Sequence, residues 1–107
     1  MIKIEVQRDQ SGEIRRFTVE GHAGYAEHGR DIVCAAVSAV TQTAILGLKE
    51  VLKLPVVVEM RDGYLSCRLP EVVAAAARPI AQAVLETMLA GLKDIQKGYP
   101  DFIELNP

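Results

Sequence analysis

The sequence predicts a small α+β domain: a mainly antiparallel sheet with two helices packed on one face, in the order ββαββα with room for a short final strand. Three observations predict it. Apolar residues alternate with polar ones at the start of the chain, an Asp-Gly turn divides a second strand pair, and each pair is followed by a stretch with apolar residues three or four apart. The 107 residues suffice for one domain, 1–107, and 50% hydrophobic with 24% charged residues is the balance of a compact chain rather than a disordered one.

Ile2, Ile4 and Val6 alternate with Lys3, Glu5 and Gln7, as a half-buried strand requires. Asp9 to Gly12 supplies a turn. A second strand begins near Ile14 and puts Phe17 and Val19 on one face, Thr18 and Glu20 on the other. From Gly21 to Arg30 there are three glycines in ten positions and no apolar period, so the segment reads as a loop. Asp31 is a favoured N-cap, and Val33, Val37, Val40, Ala44, Leu48 and Val51 then follow at helical spacing, giving a first helix over about Ile32 to Leu52. Gly47 inside it points to close helix packing. After Pro55, Val56 to Val58 open a strand that reaches Asp62-Gly63, and Tyr64 to Leu69 returns beside it. The second helix starts near Arg78 with Pro79 in its first turn. Its apolar seam is Ile80, Val84, Met88, Leu92 and Ile95, with Gly98 as C-terminal cap, and a last short strand fits Phe102 to Leu105.

Charge and composition narrow the function classes. Twelve basic against fourteen acidic residues leave a net charge of −2, only Arg15 and Arg16 are adjacent cations, and aromatics are few, which argues against direct nucleic-acid binding. Lys3, Glu5 and Arg8 interrupt any signal-peptide pattern. The longest charge-free stretch, Ile32 to Leu48, is shorter than the ~20 residues of a membrane span. A cytoplasmic protein without membrane association is the expectation, and in that compartment Cys34 and Cys67 are read as free thiols.

The chemistry-bearing residues lie between Gly21 and Ser38, in GHAGYAEHGRDIVCAAVS. With Asp31 as cap, Cys34 is the third helical residue, where free N–H groups and the positive helix end favour an anionic sulfur and offer donors to a developing oxyanion. His22, at the end of the second strand, is better anchored for acid-base work than His28 in mid-loop. On the residues alone Cys34 is either such a thiol or a small buried hydrophobe. Asp31 is a cap whatever else it does, and Ser38, one turn after Cys34, is compatible with simple packing. Cys67 shares a strand face with Leu65 and Leu69 and reads as core. His22, His28, Asp31 and Cys34 are all metal-ligand types, but no close pair of the kind zinc sites use is present, so no metal or other cofactor is expected.

This segment resembles the signature of the bacterial ribosomal-processing cysteine protease family, Prp, in which a Gly-His-Ala element and a glycine-bearing loop precede Asp-Ile-Val-Cys-Ala-Ala-Val-Ser. Chain length, element order and a C-terminal Gly-Leu-Lys followed by Tyr-Pro extend the resemblance over essentially the whole chain. It implies a homodimeric cysteine endopeptidase with a Cys-His dyad that removes a short N-terminal extension from the large-subunit ribosomal protein L twenty-seven, after a paired aromatic motif. The family's nucleophile falls on Cys34 and its histidine on His22, with Asp31 and Ser38 on flanking motif positions. The loop Ala23 to Arg30, hinged at Gly24 and Gly29, is then the gate over the peptide. The rival class is a non-catalytic ribosome-associated module that binds a protein partner in the same groove.

Overall fold

The computed structural model describes all 107 residues. The hairpin β1 (Ile2–Arg8) and β2 (Ile14–Glu20) leads through the loop into helix α1 (Ile32–Leu46), which continues as a wider π-type turn over Gly47–Val51. The hairpin β3 (Val57–Arg61) and β4 (Tyr64–Arg68), helix α2 (Arg78–Gly98) and strand β5 (Ile103–Asn106) complete the chain. The sheet order is β3-β4-β2-β1-β5, antiparallel throughout except that β5 runs parallel to β1.

Register explains the core. Ile4 lies opposite Val19, and Val19 opposite Leu65, while Val6, Phe17 and Cys67 form the next row on the same face. These rows meet both helices, so Ile4, Phe17, Val33, Val37, Leu85 and Leu92 share one buried cluster. The other face is polar: Lys3, which pairs with Glu5 at 3.2 Å, Arg16, Thr18 and Glu20 occupy the alternating positions. The helices approach closely where glycine permits it. A β-carbon on Gly47 would lie 3.4 Å from Val84, and one on Gly91 would lie 3.5 Å from Val40.

The helix faces differ in detail from those the spacing suggests. In α1 the buried stripe also takes in Thr41 and Ile45, with Val40 packed at its edge, and Val51 is 78% exposed because the π-type turn rotates the last residues off the core. In α2, Ala81, Leu85 and Leu89 join Met88 and Leu92, while Ile80 faces solvent. Gly98 is the last helical residue rather than the cap, a place taken by Tyr99. The first helix with its π-type turn spans Ile32–Val51, 20 residues with a hydropathy of 1.6, long and apolar enough by those measures to cross a membrane. Here Val33, Val37, Ala44, Ile45 and Leu48 face the protein core.

Candidate active site

The expected site residues converge. His22, Gly24, Gly29, Asp31, Cys34 and Ser38 line one open cleft of about 660 Å³, between the start of α1, the loop after β2 and the β3–β4 turn.

Asp31 organises it. Its Oδ1 accepts the N–H groups of Val33 and Cys34, both at 3.0 Å, as an N-cap does. Its Oδ2 accepts those of Tyr25 at 2.9 Å and Ala26 at 3.3 Å, so one carboxylate joins the helix start to the loop. Burial opposes its ionisation, yet the backbone donors of Cys34, Ala26, Tyr25 and Val33 prevail and hold the carboxyl below its ordinary 3.8. A carboxyl depressed in the folded state stabilises the fold above its ordinary value, and that contribution is lost as pH falls through the folded value. Thermal melts of the parent should therefore lie above those of Asp31→Asn near neutral pH, with the gap narrowing as pH falls below the ordinary 3.8; a gap independent of pH would contradict this role.

These bonds also correct an expectation. The helix N-terminal donors anticipated for an oxyanion are occupied, since Val33 and Cys34 donate to Asp31 Oδ1 and Ala35 donates to the Asp31 carbonyl at 3.0 Å. The donor at the sulfur comes from the other wall: Ala23 N–H lies 3.2 Å from Cys34 Sγ. The loop expected to hinge is tied down at several points. Gly24 and Gly29 have φ of +72° and +87°, but Ala23 is buried, and the Tyr25 ring meets Tyr99 and Phe102 edge-on at 5.5 and 5.2 Å.

The two thiols differ sharply. Cys34 is half-buried at the cleft wall, whereas Cys67 is 2% exposed and burial pushes its thiol up to about 11. Native protein at neutral pH should take up one equivalent of iodoacetamide, at Cys34, and a second only after unfolding, as read by intact and peptide mass.

A family model described as cysteine protease Prp matches residues 1–104. The chain belongs to the Prp family. The ribosomal processing cysteine protease Prp of Bacillus subtilis is 33% identical over 103 residues, covering 94% of this chain and 92% of that protein. The Prp of Staphylococcus aureus strain Mu50 is 31% identical over 109 residues, covering 99% and 98%. Among solved structures, an essential ribosomal processing protease Prp from S. aureus in complex with a covalently linked product peptide matches with a TM-score of 0.88 at 29% identity, covering 99% of this chain and 98% of that one. The S. aureus protease with a substrate peptide matches with a TM-score of 0.83 at 28% identity over the same shares. As a Prp-family member the chain is a cysteine protease, and two helices on a five-stranded sheet are the architecture it shares with those structures.

Within this Prp fold, His22 stands at the cleft mouth with its side chain 52% exposed and its Nε2 3.9 Å from Asp62 Oδ1. The sulfur's hydrogen bond is with Ala23, not with His22. Asp62 is the residue that sequence reasoning passed over, because Asp-Gly between two strands is fully explained as a turn. Gly63 explains why the imidazole fits there: a β-carbon on it would come within 3.2 Å of His22 Nε2. His28 is also in the cleft, its ring edge-on to His22 at a centroid distance of 5.7 Å.

Proposed function

We propose that this chain is an endopeptidase that uses Cys34 as nucleophile and His22 as acid-base partner to remove the N-terminal extension of the large-subunit ribosomal protein L twenty-seven. The observation that carries the reading is that Cys34 is the one thiol on the cleft wall, in a fold whose S. aureus counterpart holds a covalently linked product peptide. A peptide bound covalently to a cysteine protease calls for a reachable sulfur, and Cys67 is sealed in the core.

The thiolate of Cys34 adds to the scissile carbonyl carbon, and the oxygen gains the negative charge. The carbon–nitrogen bond then breaks, the imidazolium of His22 gives its proton to the departing amine, and a thioester remains on Cys34. Water, its proton taken by His22, adds to the thioester and releases the new carboxyl end, restoring the sulfur. Ala23 N–H, which donates to the sulfur, is the backbone donor assigned here to the developing oxyanion, and Asp31 acts as a positioning residue that fixes the helix start and the loop together. Ser38 borders the same groove one turn along α1. For the proton steps the exposed imidazole turns from Asp62 toward the sulfur as substrate enters, and the loop swings about Gly24 and Gly29.

The reading also takes the enzyme as a homodimer working in the cytoplasm, where its ribosomal substrate matures. In its favour, the edge strand β3 leaves Val57 and Met60 more than half exposed, at 51% and 56%. Light scattering on the purified chain reads the assembly.

Incubating the chain with the extended ribosomal protein and weighing the products tests the activity. A truncated protein plus the released extension is expected, with His22→Ala slower by ~10²–10⁴-fold. An intact substrate held in a stable complex would mean a binding module instead, and a His22→Ala variant cutting at the parent rate would remove His22 from the dyad.

A further inference from the structure

We propose that His22, His28 and Asp62 form a binding site for a zinc-type divalent ion at the mouth of the cleft, and that an ion held there takes His22 out of the reaction. The second half rests on the assignment of His22 as acid-base partner; the first does not.

One ligand atom from each residue lies within 4.8 Å of the other two. The three come from separate segments, the end of β2, the loop and the β3–β4 turn, so no local spacing in the sequence brings them together. Gly21 N–H donates to the Gly63 carbonyl at 2.8 Å, drawing the end of β2 against the turn, and the missing side chain of Gly63 admits the imidazole. Tetrahedral zinc with bonds of about 2.0–2.1 Å sets its ligand atoms roughly 3.3 Å apart. Closing from 4.8 Å asks only for rotation of three exposed side chains.

The donor set selects the ion. Two imidazoles and one carboxylate suit zinc and its transition-metal neighbours, whereas magnesium and calcium favour oxygen cages. Three protein ligands leave the fourth position to water, the pattern of an open site. Arg61, which lines the same cleft, is otherwise engaged, because it pairs with Glu59 at 2.7 Å and lies over the Tyr64 ring at 4.0 Å. An ion shared with His28 and Asp62 holds the His22 ring away from Cys34, so cleavage stops reversibly. The sequence presented these histidines with Asp31 and Cys34 as the alternative ligand set; Asp31 is committed to four backbone N–H groups, and Asp62 takes its place.

The test titrates zinc chloride into the full chain carrying Cys34→Ala, which removes the thiol as a ligand, and follows binding by calorimetry and by competition with a chromophoric chelator. One ion per chain is expected, with magnesium chloride giving no heat of binding under the same conditions. Adding His28→Ala or Asp62→Asn should weaken zinc binding about tenfold or more. In the Cys34-containing enzyme, the zinc concentration that halves each variant's own metal-free rate should rise by the same factor. Unchanged affinity in His28→Ala, equal binding of magnesium, or less than one ion per chain would overturn the site. Zinc bound at one per chain while cleavage continues would overturn the blocking of His22. The metal-free rate of His22→Ala reads the dyad separately, so the ion site and the catalytic assignment fail independently.

Discussion

Cys34→Ala is expected to lower cleavage to on the order of 10⁻⁴ of the parent rate or below, because no second thiol lines the cleft to carry the acyl group once this sulfur is gone. The fold should survive. The side chain is half-buried at the edge of the core, only its sulfur is removed, and the Asp31 cap contacts its backbone N–H rather than its side chain. Circular dichroism and a thermal melt close to the parent's, together with an intact substrate by mass, would complete the result. A variant that still trims the substrate at the parent rate would transfer the chemistry elsewhere and end the thiol mechanism.

Gly21→Ala should have the largest effect on the scaffold. Gly21 has a φ of +89°, a region that side chains avoid, and a β-carbon there would sit 2.6 Å from the carbonyl oxygen of Met1. That oxygen belongs to backbone, and it cannot retreat without pulling Ile2, which is 2% exposed and paired with Ile103 across the β1–β5 ladder. Strain and overlap together should cost about 2–3 kcal/mol, enough to lower Tm by ~10 °C or more in a domain of this size. Cleavage should fall as well, since His22 and Ala23 follow directly and their positions are set by this corner. Gly12→Ala is the control: Gly12 has a similar φ of +88° but open space around it, so only the conformational strain remains. Equal melts for the two variants would show that the Met1 contact is immaterial.

The parts of the fold that depend on neighbours in sequence were legible in it. Alternation in Ile2 to Val6 and around Phe17 fixed both hairpin strands and their inner face, and Asp31 marked the first residue outside α1 because its side chain caps N–H groups two and three residues on. Pro79 placed the start of α2 for the same local reason. What escaped was set at a distance. Spacing alone could not choose between the Ile80 and Ala81 sides of α2, since the docking angle on the sheet decides which stripe is buried. The parallel pairing of β5 with β1 depends on where α2 releases the chain. In the site, Asp31 as cap and Cys34 in the first turn of α1 were legible from local spacing, whereas the adjacency of His22 to Cys34 came only through the family resemblance, since spacing does not set nearness in space. The second duty of Asp31, toward Tyr25 and Ala26, and the meeting of Asp62 with His22 were not, because both join segments through loop geometry.

The aromatic contacts of the loop also give the molecule a built-in optical probe. The chain has three tyrosines and no tryptophan. Tyr25 and Tyr99 touch each other where the loop meets the end of α2, and Tyr64 borders the groove beneath Arg61. Every phenol emitter therefore stands at the cleft or where the loop rests against the end of α2, and unlabelled protein should report docking through its own ultraviolet fluorescence, free of background from a distant fluorophore.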